Sequence, residues 1–278
     1  MTAAGPGTGA MRAVILARGL GTRMRRRDEG TELDPAQAAA ADGGMKGMIP
    51  VGRPFLDYAL SALADAGFRE VCLVIGPEHD AVRERYDGGV ALRRLRVAFA
   101  IQERPLGTAD AVLAAESFVA GETFLVANSD NYYPPGVLRT LREHGAPALP
   151  GFDREALVTG GDVPPERIRS YAILDVAPDG ALRRIVEKPD DAALRLMADA
   201  PYVSMNCWLF TSAIFEACRR IGPSARGELE LPDAVQWLID RRGARFAVLP
   251  TYAPVLDLSR RADVPAVAER LRAVAVAL

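Results

Sequence analysis

The run Arg12-Ala13-Val14-Ile15-Leu16-Ala17 breaks at once into Arg18-Gly19-Leu20-Gly21-Thr22-Arg23. An unbroken apolar run of this length suits a strand covered on both faces, and the glycine turn leaves bare backbone at its carboxyl end. Further along, strand and helix patterns alternate. The spacing predicts a helix over residues 55–66 closed by Gly67, a buried strand over 71–75, a helix over 78–86, an extended stretch over 95–101, a helix over 108–116 and a strand over 123–127. This βαβαβ order predicts an α/β fold with a Rossmann-like, mostly parallel sheet flanked by helices.

After Pro150 the rhythm changes. Residues 171–176 and 182–187 flank Pro178-Asp179-Gly180 as a hairpin. A strand over 203–210, helices over 212–220 and 231–240, a strand over 246–249 and a helix from Asp263 follow. We expect one domain over residues 11–278, its second half adding antiparallel strands. Residues 1–10, small and uncharged, read as a disordered tail. Residues 24–44 read as a mobile insertion poor in large apolar groups, with a short helix opened by Asp34-Pro35 and closed by Gly43-Gly44.

Charge narrows the partners. The 36 acidic and 34 basic residues leave a net charge of −2, which argues against a nucleic-acid partner. No apolar run approaches the roughly 18 residues of a membrane helix, so no membrane partner is expected. Cys72, Cys207 and Cys218 lack metal-type spacing and fit buried thiols in a reduced cytoplasmic setting. Of the 34 basic residues only Lys46 and Lys188 are lysine. An ammonium is a compact point charge where guanidinium is a wide planar fork, so a tight phosphate site can demand the former.

A glycine turn after a strand offers several N–H groups to an anion. A dinucleotide fingerprint would need a third glycine where Met24 stands, and a Walker loop would need a hydroxyl after Lys46, where Gly47 stands. Neither applies. The ordered set Gly19-Leu20-Gly21-Thr22-Arg23, Lys46-Gly47-Met48-Ile49-Pro50-Val51, Pro54, Gln102, Pro105-Leu106-Gly107-Thr108-Ala109, Asn128-Ser129-Asp130-Asn131, Glu187-Lys188-Pro189 and Asp257 resembles the sugar-1-phosphate nucleotidylyltransferases. It spans nearly the whole chain, and both lysines fall on family lysine positions.

The resemblance implies a GT-A-like nucleotidyltransferase fold and a cytoplasmic enzyme. In its reaction a sugar-phosphate oxygen attacks the α-phosphorus of a nucleoside triphosphate and pyrophosphate leaves, with Mg2+ as cofactor. Leu16, Ala17, Gly19, Leu20, Gly21 and Thr22 would then cradle the nucleotide, and Arg23 would grip the departing pyrophosphate with two donors at once. Lys46 would lie against the α- or β-phosphate. Gln102, Gly107 and Thr108 would form the base subsite; an amide can read one edge of a base, a glycine lets a ring approach, and Thr108 can equally cap the helix it begins. Asp130, joined by Asp257, would hold the metal. Glu187, Lys188 and Asn206 would hold the sugar phosphate. Arg23, Lys46, Asp130 and Lys188 are the implied catalytic set. Glu228 and Glu230 read as residues favouring the dipole of the helix after them.

Arg18, Met45, Ser129, Asn206 and Cys207 depart from the family pattern, as does the 24–44 insertion. Base and sugar stay open, and a homo-oligomer is compatible with the resemblance. Two other readings remain: transfer to a non-sugar phosphate such as phosphocholine, a cyclitol phosphate or a pterin cofactor, and a non-catalytic nucleotide-binding regulatory subunit. The joint presence of Arg23, Lys46, Asp130, Lys188 and Asp257 argues against the last.

Overall fold

The structure, a computed structural model, describes residues 11–26, 31–160, 163–187, 189 and 202–278. The expected tail at 1–10 and Lys188 lie outside the described residues. The first half is the alternating unit the sequence predicts. β1 (Arg12–Leu16) lies between β2 (Glu70–Ile75) and β4 (Phe124–Asn128), parallel to both, and β3 (Arg96–Ile101) extends the sheet beyond β2. Between β1 and β2 run α1 (Thr22–Arg25), α2 (Pro35–Gly43) and α3 (Phe55–Asp65). α4 (Asp80–Glu84) precedes β3, and α5 (Thr108–Ala114) and α6 (Glu116–Val119) precede β4. Neighbouring strands on the two sides of β1 are thus reached by separate crossovers, which opens a crevice at the carboxyl ends of β1 and β4.

The second half adds β5 (Asn131–Tyr132), α7 (Pro135–His144), β6 (Ala148–Asp153), α8 (Arg154–Gly160) and α9 (Pro165–Ile168). β7 (Ala172–Val176) and β8 (Leu182–Val186) form the expected hairpin. The strand expected over 203–210 is two strands, β9 (Tyr202–Ser204) and β10 (Cys207–Phe210), with Asn206 in left-handed backbone at φ 57° between them. Asparagine tolerates that conformation better than most residues. α10 (Ala213–Arg220), α11 (Leu231–Arg242), β11 (Ala247–Thr251), β12 (Leu256–Asp257) and α12 (Asp263–Leu271) follow.

Among the described residues the main sheet has ten strands, ordered β3-β2-β1-β4-β10-β6-β9-β7-β8 with β11 on β6. β10 turns the sheet antiparallel against β4. α7 and β6 carried no marked sequence signal. Pro150 falls inside β6, but on that strand's β9–β10 side it lies between the paired positions Leu209↔Ala148 and Val203↔Phe152, where the kink at Asn206 asks for no N–H.

Alternation along the strands splits the core into two layers. Ala13 and Ile15 of β1 pack with Leu73, Ile75, Leu125 and Ala127 on one face, beneath α3 and α7; Val14 and Leu16 pack with Cys72, Val74, Phe124 and Val126 on the other, beneath α5, α10 and α11. Where the sequence suggested a mobile insertion, the described part of residues 24–44 is built into the first layer. Met24 and Ala41 are fully buried, and Asp34 caps α2 with a reciprocal Gln37 contact. Few large side chains are needed because the contact is made by glycines and a buried arginine, described below. No helix among the described residues is long and apolar enough to cross a membrane. The three cysteines are buried, and burial pushes the Cys72 thiol up to about 12.

α3 is buried almost all round and carries a fully buried carboxylate, Asp57. Arg53 (3.1 Å), Arg85 (3.0 Å) and the Tyr86 hydroxyl (2.7 Å) all donate to it. A buried charge is tolerated only when paired in this way. Asp57→Ala is expected to lower the unfolding free energy by about 2–4 kcal/mol, because it leaves the buried Tyr86 hydroxyl and part of the Arg85 guanidinium without their acceptor; urea denaturation of the variant measures it.

Candidate active site

A cavity of about 540 Å³ opens at the carboxyl ends of β1 and β4. Leu16 and Ala17 end the strand, Gly19, Leu20, Gly21, Thr22 and Arg23 form the rim, Lys46 and Asp130 stand at the floor, and Gln102, Gly107 and Thr108 form the far wall. All the residues assigned to the nucleotide from the sequence therefore line one space. Lys46, on a short 3-10 turn at Lys46–Met48, places its Nζ 2.7 Å from Asp130 Oδ2.

Asp257 does not line this cavity, but the strand that carries it is bonded to the Asp130 segment. Its two-residue strand β12 pairs antiparallel with β5, putting Asp257 opposite Asn131, and the Leu258 N–H donates to the Asp130 carbonyl at 2.8 Å. The Tyr171 hydroxyl (3.0 Å) and Ser259 hydroxyl (2.9 Å) donate to its carboxylate, and Arg167 lies 3.8 Å away. Burial, then the charge of Asp130, pushes the Asp257 carboxyl above the usual carboxylate range; Arg167, Lys46 and Ser259 oppose the shift.

Gln102 is held from both ends. Its Nε2 donates to the Gly107 carbonyl (3.0 Å) and to Asp110 Oδ2 (2.7 Å), while its own backbone carbonyl accepts from Arg18 Nε at 2.6 Å. Both side-chain partners can only accept, so the NH2 faces them and the amide oxygen is left for a ligand. Arg18, the departure in the glycine turn, is 8% exposed; it is bonded to this strand exit and also lines the cavity.

Gly107 has φ +120°, and a Cβ there would lie 2.5 Å from the Leu229 carbonyl oxygen. The glycine is required by this crossing chain as well as by any ring at the subsite. Leu229 exchanges backbone bonds with Leu106 (2.7 Å) and Ala109 (2.9 Å), and the Leu231 N–H donates to the Thr108 hydroxyl at 2.8 Å. Thr108 thus caps α11 and not the helix it begins. This stitching also brings Arg226 and Glu228 into the cavity wall. The sequence reading missed Arg226 and gave Glu228 only a dipole role, since their placement depends on a loop docking far away in sequence.

The sugar-phosphate candidates sit apart from that cavity. Val186 registers with Ile173, Ala172 with Ser204, and Cys207 with Ala127. Glu187 and Asn206 therefore flank the level where β4 ends and β7 begins, next to Tyr171 and its bond to Asp257. The Asn206 N–H donates to Ser204 Oγ at 3.2 Å.

The nucleotidyl transferase family profile matches residues 39–252, most of the chain. The chain belongs to the nucleotidyl transferase family. It is 34% identical over 248 residues to a glucose-1-phosphate thymidylyltransferase of Streptomyces griseus, covering 87% of this chain and 61% of that protein. A second glucose-1-phosphate thymidylyltransferase, from an Actinoplanes species, is 30% identical over 95% of this chain and 79% of its own length. The UTP–glucose-1-phosphate uridylyltransferase AglF of Haloferax volcanii is 29% identical over 94% of this chain and 97% of its own. The chain thus spans about three fifths of the Streptomyces relative and nearly all of the haloarchaeal one. Its fold is shared with a UTP-bound UGPase from Acinetobacter baumannii, with a TM-score of 0.72 at 20% identity over 96% of this chain and 95% of that one.

The raised folded-state pKa of Asp257 carries a stability cost. As pH rises through its unfolded value, the unfolded chain ionises more readily than the folded one, so stability falls. Asp257→Asn is expected to raise the thermal midpoint of the protein at neutral pH, with the gain shrinking as pH drops below the carboxylate range. Thermal scans across pH check both halves of that statement.

Proposed function

We propose that this nucleotidyl transferase joins a nucleoside triphosphate to a sugar 1-phosphate, giving a nucleoside-diphosphate sugar and pyrophosphate. The observation that carries the reading is the Lys46–Asp130 pair in the cavity beside the glycine turn, with Asp257 held on the strand paired to the next residue, Asn131. Nucleotidyl transfer joins two polyanions, so the protein's work is positioning and charge neutralisation. The backbone of 19–22 receives the triphosphate and Arg23 neutralises the departing pyrophosphate. Lys46 bears on the α-phosphorus as charge builds in the in-line attack.

Two adjacent carboxylates supply hard oxygen donors. Among the described residues no third His, Cys, Asp or Glu joins them, a donor set that suits magnesium, which takes one or two carboxylates and completes its shell with phosphate and water. Asp130 and Asp257 would hold that ion, which supplies charge neutralisation to the phosphates when bound. Lys46 then exchanges part of its contact with Asp130 for phosphate oxygen. Glu187 and Asn206, at the β4–β7 junction, are assigned to the sugar phosphate together with Lys188, which lies outside the described residues.

The base we assign is a pyrimidine. The free Gln102 oxygen can accept an imide N–H, and the thymidylyl- and uridylyltransferase relatives support the same choice. Pyrophosphate release with thymidine or uridine triphosphate and glucose 1-phosphate tests this reading; silence with every triphosphate and sugar 1-phosphate, or release with phosphocholine alone, would overturn it. Lys46→Arg and Asp130→Asn should each lower kcat by about two to three orders of magnitude, a barrier of roughly 3–4 kcal/mol, with the fold intact by circular dichroism. Asp110→Ala frees the Gln102 amide to rotate, so discrimination between thymidine and adenosine triphosphates, read as a kcat/KM ratio, should fall by about tenfold.

A further inference from the structure

Behind the glycine turn, three segments far apart in sequence close on one another. Gly21 and Gly44 both hold left-handed backbone, at φ +61° and +72°. A Cβ on Gly21 would sit 2.7 Å from the Gly44 Cα, and one on Gly44 would sit 2.7 Å from the Leu20 carbonyl oxygen. The end of α2 therefore backs directly onto the turn, and Arg25 adds a 2.9 Å bond to the Gly43 carbonyl. α1, which carries Thr22 and Arg23, is only four residues long and has no side-chain cap. A helix that short does not hold its own orientation.

Arg261 supplies what α1 lacks. It is 5% exposed, and its Nε donates to the Met24 carbonyl at 3.0 Å and to the Arg26 carbonyl at 3.1 Å. Its Nη2 donates to Asp42 on α2. One planar fork thus binds the last carbonyls of α1 and the carboxylate of α2 together, which a lysine point charge cannot do. The arginine is itself anchored. Asp263 Oδ2 accepts from the N–H groups of Ser259 (2.9 Å) and Arg260 (2.7 Å), fixing the turn that follows Asp257. The contact therefore runs from the chain bearing Asp257 to the back of the phosphate turn.

We propose that Arg261 is a positioning residue for the triphosphate: it clasps α1 to α2 so that the glycine turn and Arg23 face the cavity in register with Asp257. This rests on the nucleotidyl-transfer reading of the cavity. The clasp acts on the β- and γ-phosphate end and leaves the Gln102 base subsite untouched.

The test is calorimetric titration of thymidine triphosphate and thymidine monophosphate into wild type, Arg261→Ala, Arg261→Lys and Asp42→Asn, with hydrogen exchange of residues 22–26 and 34–44. Arg261→Ala should weaken triphosphate binding by about tenfold or more, keep monophosphate binding within about twofold, and speed exchange in both segments. Arg261→Lys should recover only part of the triphosphate affinity. Asp42→Asn, at a half-exposed residue that does not threaten folding, should shift the triphosphate in the same direction and carries the test if the alanine variant fails to fold. Wild-type-like triphosphate affinity in Asp42→Asn and Arg261→Ala, or equal loss of both nucleotides, would overturn the clasp while the cavity reading stands. A wild-type protein that binds neither nucleotide would instead sink the cavity reading itself, and the clasp's role in positioning with it.

Discussion

Two carboxylates that repel one another are held side by side because the backbone gives them no alternative. Asp130 follows a central strand, Asp257 sits on a two-residue strand locked to β5, and the Leu258 N–H closes the pair. Burial and mutual charge make this arrangement unfavourable for the folded protein alone, with Lys46 and Arg167 offsetting only part of it. Much of what surrounds the pair follows from that constraint: the tyrosine and serine donors on Asp257, the lysine on Asp130, and the buried arginines that pin the neighbouring turns. Paired carboxylates with a shifted proton affinity are a common signature of functional sites.

The nucleotide side of the cavity was legible in the sequence because it is local. A buried strand, its glycine exit and the lysine turn all lie within the first crossover; periodicity places the strand, and the family motif names the residues that follow it. On the other side only the family motif named Glu187 and Asn206, because their placement is made by strand register. Glu187 and Asn206 are brought level by a chain of pairings through β8, β7 and β9, and no short window of sequence contains that information. Asp257 shows the same limit: a two-residue strand has no period, so only the family motif pointed to it. Arg226 and Glu228 looked like an ordinary charged approach to a helix until the Leu229 backbone was seen crossing Gly107. Arg18, a departure from the family pattern, showed no such partner in the sequence; it bonds the Gln102 carbonyl while lining the cavity.

The sheet itself explains why these distant pieces can be held so closely. β1 has a helix-backed apolar layer on each side, so its carboxyl end is fixed from both faces. The antiparallel second half then meets β4 through β10 and kinks at Asn206, where β4 ends and β7 begins.

The glycine-to-glycine contact behind the turn has a consequence for transplanting this loop. A turn shaped by local backbone alone would carry its own geometry with it. Here the cradle's shape is borrowed from α2 and from an arginine near the other end of the chain. A chimera that imported residues 18–25 without residues 34–44 and Arg261 would inherit the motif's spelling and lose its conformation.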